Sequence, residues 1–228
     1  MSEYSIFSNF KLKVLIVLIF LINFVQAQHA RTEHWNKRNR QFFEEFQTIK
    51  PGKIVFLGNS ITEGFDLNLF FPEFQPVNRG IVGDHIDGLL ERIETSVFKL
   101  QPSKLFILIG INDIGAGDPD SLILSNYKLL FDTLSAKLSS TEIFIHSVLP
   151  TTKKWKNCPR EKIVRLNEQI KQMTVIYNFT FINLYPLFST KEGYLKENLT
   201  RDGLHLNLTG YKLWADLLKL FLVDEIDK

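Results

Sequence analysis

The stretch KIVFLGNSITEG, residues 53–64, sets an apolar run of strand length directly against a polar turn. Such a run reads as a strand buried on both faces. Three others share its character: KLFILIG (104–110), EIFIHSVL (142–149) and TFINLY (180–185), with a weaker one in QPVNRGI (75–81). Between them apolar residues recur every three or four positions. Ile123, Tyr127, Leu130, Leu134 and Leu138 form one stripe, and Ile163, Leu166, Ile170, Met173 and Tyr177 a second. Tyr211, Trp214, Leu218 and Phe221 form a third, and all three are core faces of helices. An opening helix is expected over Glu33–Ile49, with Trp35, Phe42, Phe43 and Phe46 on its apolar side. Strands alternating with helices predict an α/β fold: a three-layer α/β/α sandwich around a central, mainly five-stranded parallel sheet. No internal repeat, low-complexity tract or linker interrupts the pattern.

Residues 11–27, KLKVLIVLIFLINFVQA, carry two lysines, an apolar run and a V-Q-A ending. This is the pattern of an export leader, and the run is short for a bilayer span of about 20 residues. The expected organisation is therefore a signal peptide over 1–27 and one domain over 28–228, with a secreted or periplasmic product and no stable membrane insertion once the leader is gone. Loss of the leader removes Lys11, Lys13 and Glu3, so 27 basic and 25 acidic residues become 25 and 24. That balance gives no electrostatic case for nucleic acid or an anionic membrane. The only cysteine, Cys158, excludes an internal disulfide and reads as an ordinary unpaired thiol.

Polar residues of interest follow the strands. Ser60 comes at the first strand-to-helix turn, where it could cap a helix or present its hydroxyl. Gly80 ends the weak strand, where bare backbone could approach a ligand. Asn112 follows the next strand, as a turn former or as an amide aimed at developing negative charge. RDGLHLNLTGY (201–211) places Asp202 three residues before His205. In a parallel sheet the carboxyl ends of the strands gather at one edge, which would bring these groups together.

The ordered set GNSIT, NRGI, GIND and DGLH resembles the SGNH hydrolase superfamily, also called GDSL-like esterases and lipases, over about residues 50–222. The spacing is most similar to the branch with platelet-activating-factor acetylhydrolase-like and carbohydrate acetylesterase-like members. The resemblance implies a flavodoxin-like sandwich and a serine esterase with Ser60 as nucleophile, His205 as base and Asp202 as the acid. It further implies an oxyanion hole from the Ser60 and Gly80 N–H groups and the Asn112 amide, with neither metal nor cofactor. A serine hydroxyl is a poor nucleophile near neutral pH, so a neutral imidazole must take its proton. Two positions depart from the family: Asn59 stands where Asp is usual, and Val82 replaces a frequent glycine in GIVGD.

The expected substrate is a small-molecule or glycan ester, with acetyl groups on carbohydrate preferred. The rival activity is a lysophospholipase or short-chain lipid esterase, and the rival of another class is a silent carbohydrate-binding protein. Asn59, His85 and Trp155 are candidate substrate contacts, Trp155 within the basic stretch PTTKKWKNCPREK (150–162). FDLNLFFPEF (65–74) either lines a lipid pocket or joins the core. His146 reads as a core histidine and Asp113 as a tie between loops. GDPDS (117–121) reads as a turn. Asn178, Asn198 and Asn207 begin N-x-S/T sequons. Oligomeric state is not set by these features.

Overall fold

A computed structural model describes residues 29–222, so the expected leader and the last six residues lie outside the described residues. The compact unit that carries the sheet begins at Arg31. Among the described residues five strands are present: β1 (Ile54–Gly58), β2 (Val77–Gly80), β3 (Lys104–Leu108), β4 (Glu142–His146) and β5 (Thr180–Ile182). They form one sheet in the order β2-β1-β3-β4-β5, and every pair is parallel. The order reverses between β1 and β3, the kind of crevice in which ligands bind beyond the carboxyl ends.

Register explains the core. Phe56, Phe106 and Phe144 are lateral partners on β1, β3 and β4. Their rings stack with centroids 4.8 and 4.5 Å apart. Burying each such ring contributes on the order of 2 kcal/mol. The aromatic layer continues through Phe65, whose ring lies 4.6 Å from that of Trp214 on the last helix, Leu208–Leu222. Phe65 and Phe71 are buried and Phe70 and Phe74 partly buried, so the 65–74 segment belongs to the core.

The helices begin with α1 (Glu33–Glu45), capped by the Thr32 hydroxyl, which accepts from Trp35 N at 3.0 Å. Its buried residues are Trp35 and Phe42, while Phe43, expected inward, is 50% exposed. One residue is 100° of helix turn, so Phe43 cannot share the face of Phe42 and instead lies edge-on to Phe46. The stripe from Ile123 to Leu138 is wholly buried, and its helix spans Asp120–Lys137.

β1 ends with its apolar run, while the other strands end earlier than theirs suggest. β4 stops at His146, and the Val148 N–H and carbonyl are satisfied by the Asn167 side-chain amide at 2.7 and 2.9 Å rather than by a neighbouring strand. The apolar residues past each strand thus build the loops at the carboxyl edge. No described helix is long and apolar enough to cross a membrane.

Candidate active site

β1 runs straight into the short helix α2 (Ser60–Glu63), with Asn59 as its cap, and α3 (Leu67–Phe70) follows. Asn59 Oδ1 accepts from Ile61 N at 3.0 Å, and the residue is 1% exposed. It therefore holds the helix start and is too deeply buried to meet substrate, contrary to the expectation for this position. Ser60, one residue on, is 7% exposed and turns its hydroxyl toward His205. Its N–H lies in the first turn, where no carbonyl four residues back is within the helix. Tyr211 Oη donates to the Ile61 carbonyl at 2.9 Å and ties α2 to the last helix.

Ser60 Oγ lies 3.0 Å from His205 Nε2, and His205 Nδ1 lies 2.7 Å from Asp202 Oδ2. A carboxylate only accepts, so Nδ1 carries the proton and Nε2 is left to accept from the serine hydroxyl. The loop bearing these residues is self-supporting. Asp202 Oδ1 accepts the His205 and Leu204 N–H groups at 2.8 and 3.0 Å. The Thr200 hydroxyl donates to the His205 carbonyl at 2.6 Å and accepts from Gly203 N at 2.9 Å. Gly203 has φ +95°, and a Cβ there would lie 2.2 Å from Thr152 Oγ1. Partial desolvation pushes the Asp202 carboxyl up. Hydrogen bonds from the His205 ring and from the His205 and Leu204 N–H groups outweigh it and hold the group below its ordinary value.

The expected oxyanion side is arranged differently. Gly80 N donates to Asn78 Oδ1 at 2.8 Å, so this N–H is already occupied and is not free to meet an oxyanion. Gly80 is needed for space instead: a Cβ would lie 2.1 Å from Glu63 N. The following N–H groups are also used. Ile81 N donates to the Gly58 carbonyl at 3.1 Å, Val82 N to Glu63 Oε2 at 2.5 Å, and Asp84 N to the Ile81 carbonyl at 3.2 Å. His85 N donates to Asp84 Oδ1 at 3.1 Å. Among the described residues, Gly83 alone in this segment has an N–H with no protein acceptor, and its φ of +75° favours glycine. Asn112, in the short helix α5 (Ile111–Ala116), donates one Nδ2 proton to the Asp84 carbonyl at 2.8 Å, leaving the second for a ligand.

The remaining candidates fall out plainly. Asp113 is fully buried and accepts from Ile86 N at 3.1 Å, the loop tie expected of it. His85 precedes the helix α4 (Ile86–Ser96), with Nδ1 3.8 Å from Asp113 Oδ2. Trp155 is 37% exposed and donates from Nε1 to the Asp202 carbonyl at 3.2 Å, which fixes the indole beside the Asp202–His205 loop. His146 is a satisfied core residue: Nδ1 donates to the Ile107 carbonyl at 3.1 Å and Nε2 accepts from Trp214 at 3.4 Å. Burial lowers its pKa to about 3 despite the carbonyl contact. Cys158 is buried, and burial raises its thiol. Asn178 and Asn198 are exposed, whereas the Asn207 amide donates to the Asn198 and Thr200 carbonyls at 3.0 and 3.2 Å.

Sequence reading misses Asp84 and Arg92, and gives Trp35 only its place on the apolar side of the opening helix, not its bond to Asp84. Asp84 and Arg92 pair at 2.8 Å with both side chains fully buried. The available signal was Arg92 itself, an arginine on the buried face of α4 with Leu89, Ile93 and Ser96.

The family model for the GDSL-like lipase/acylhydrolase family matches residues 56–213. Among solved structures, a Streptococcus pneumonia protein described provisionally as a platelet activating factor is 26% identical. Its TM-score is 0.79, covering 92% of this chain and 99% of that one. A GDSL-like lipase from Bacteroides thetaiotaomicron is 25% identical, with a TM-score of 0.73 over 83% of this chain and 98% of that one. An acetylxylan esterase from Geobacillus stearothermophilus shares the fold at 19% identity, with a TM-score of 0.62 over 77% and 96%. No curated protein is a significant sequence match.

Proposed function

We propose that this chain, which belongs to the GDSL-like lipase/acylhydrolase family of serine ester hydrolases, cleaves short-chain, chiefly acetyl, esters on carbohydrate through Ser60, His205 and Asp202. The observation that carries the reading is the continuous Oγ–Nε2 and Nδ1–Oδ2 contact at 3.0 and 2.7 Å. In acylation His205 Nε2 takes the Ser60 proton as Oγ attacks the ester carbonyl carbon. Asp202 holds the Nδ1 proton and stabilises the imidazolium. The oxyanion receives the Ser60 N–H, the second Asn112 Nδ2 proton and, in place of Gly80, the Gly83 N–H. Collapse breaks the carbonyl–alkoxy bond, and Nε2 returns the proton to the departing alcohol. Water, activated by the same nitrogen, then attacks the acyl-serine carbonyl and releases the acid.

Two features support the substrate class. The aromatic segment 65–74, the one candidate for a long-chain trough, is spent on the core. Trp155 offers a partly exposed ring, fixed beside Asp202, on which a sugar face can stack. Lipid esters are the second reading, favoured by the lipase description of the Bacteroides relative and by the exposed Val82 on the loop before Gly83. Export, with processing near Gln28, completes the proposal; intact mass of protein recovered outside the cytosol should lack residues 1–27, and a retained leader would overturn that part.

Initial rates on acetylated oligosaccharides, lysophospholipid and a graded series of 4-nitrophenyl esters test the assignment. The reading expects acetyl esters to be cleaved much faster than octanoyl or longer ones. It also expects Trp155→Ala to raise KM on the glycan more than on 4-nitrophenyl acetate. Faster turnover of long chains would transfer the case to the lipid reading.

A further inference from the structure

We infer that Asp84 is a positioning residue for the oxyanion side of the site, and that Trp35 of α1 is one of the groups that hold it. The inference rests on the esterase reading above. Asp84 is 1% exposed and every part of it is used. Oδ2 accepts from Arg92 Nε at 2.8 Å, while Oδ1 accepts from Trp35 Nε1 at 2.8 Å and from His85 N at 3.1 Å. Its backbone carbonyl accepts from Asn112 Nδ2 at 2.8 Å. The Gly83 N–H belongs to the Val82–Gly83 peptide group, inside the turn that the Asp84 N–H closes by donating to the Ile81 carbonyl at 3.2 Å. Both proposed donors that do not belong to Ser60 are therefore referred to this one residue. A shift of Asp84 would move the Gly83 peptide and rotate the Asn112 amide together.

The anchors are built for rigidity. Arg92 also donates to the Gly58 and Arg79 carbonyls at 3.1 and 2.9 Å, at the carboxyl ends of β1 and β2. Trp35 and Phe42 of α1 form a small buried cluster with Ile81, separate from the main core. Other groups of α1 converge on the same segment: Arg38 Nη2 donates to the Gly80 carbonyl at 3.4 Å, and His34 Nε2 lies 2.9 Å from Glu63, whose other oxygen accepts from Val82 N. Helix α1 thus reaches the segment after β2 while also packing against α4 and pairing with β2 itself, where Arg79 Nη1 donates to Glu45 at 2.6 Å. Oxyanion donors act only at about 2.7–3.1 Å from the developing charge. Small displacements there are read directly in turnover.

The test is a double-mutant cycle between Trp35→Phe and Asn112→Ala, with kcat and KM measured on 4-nitrophenyl acetate. Trp35→Phe keeps an aromatic ring and deletes the bond to Asp84. It is expected to lower kcat about tenfold with KM within about twofold of wild type. In the Asn112→Ala background the same change should cost less than about threefold, because the amide it aligns is gone. An unchanged kcat, a matching rise in KM, or an equal loss in both backgrounds would overturn the inference. Should Trp35→Phe fail to fold, Trp35→Met, which fills the pocket without an N–H, takes its place. A wild type that cleaves no ester would sink the proposed function and this inference with it. A wild type that cleaves esters while Trp35→Phe is neutral would sink this inference alone.

Discussion

The loop from Thr200 to Leu206 and the segment from Gly80 to His85 meet at Ser60, yet they are held in different ways. The first is fastened mainly to itself: Asp202 accepts from the two backbone N–H groups that follow it, and Thr200 bonds to Gly203 and His205. The second is fastened by residues remote in sequence, Trp35, Glu63, Arg92 and Asn112. Bonds from outside, Thr152 N to the Gly203 carbonyl at 2.8 Å and Trp155 Nε1 to the Asp202 carbonyl at 3.2 Å, add to those the loop makes with itself. A segment tied from outside inherits errors from the helices that hold it. Local changes should therefore damage the acid–base side, and distant ones the oxyanion side.

Removing the reacting groups gives the largest expected effects. Ser60→Ala or His205→Ala should lower kcat by roughly four to six orders of magnitude, leaving KM and unfolding temperature near wild type. Substantial turnover in either would dissolve the comparison, since the two loops would then have no common centre. Next comes Asp202→Asn, expected to cost about 10²–10⁴ in kcat, because Nδ1 loses its acceptor and the tautomer is no longer fixed. The Asp202 carboxyl, held below its ordinary value, should keep its charge as pH falls through the ordinary carboxylate range, so it stabilises the fold there and that stability is lost only further into acid. Asp202→Asn should remove this part of the pH dependence of unfolding, and an unchanged dependence would argue against the pairing. Asn112→Ala sharpens the oxyanion half, with about 10²–10³ expected in kcat.

Smaller effects separate stability from catalysis. Thr200→Val deletes the three hydroxyl bonds of the self-held loop, to the His205 carbonyl and from Asp202 N and Gly203 N, and should cost about 1–3 kcal/mol in chemical denaturation. A neutral result would show that the loop does not depend on them. His146 supplies the counterpart inside the sheet. Its folded pKa of about 3 lies below the ordinary 6.5, so the unfolded chain binds the proton first as pH falls. Its contribution is full above about pH 6.5 and is lost toward pH 3, by at most about 1.4 kcal/mol per unit. His146→Gln should flatten that slope without changing kcat.

The same contrast explains what could be read from the sequence. Strand runs, helix stripes and the Asp202–His205 spacing are local patterns, and the sheet and the acid–base loop follow from them. Phe43 was misplaced because an apolar residue beside Phe42 looks inward until the helix angle is drawn. Gly80 was given a donor role because spacing cannot show that Asn78, two residues earlier, already takes its N–H. Asn59 looks like a ligand group in sequence and is a buried cap in space. Asp84, Arg92 and Trp35 are spread over 58 positions with no local motif, so only the fold reveals that they converge.

In the proposed mechanism everything turns on Ser60 as the nucleophile activated by His205. Reaction of the folded protein with a fluorophosphonate, followed by peptide mass spectrometry, tests it most directly. One phosphonyl group is expected, on Ser60, with labelling abolished in Ser60→Ala and strongly slowed in His205→Ala. A label on any other serine, or equal labelling in His205→Ala, would contradict it.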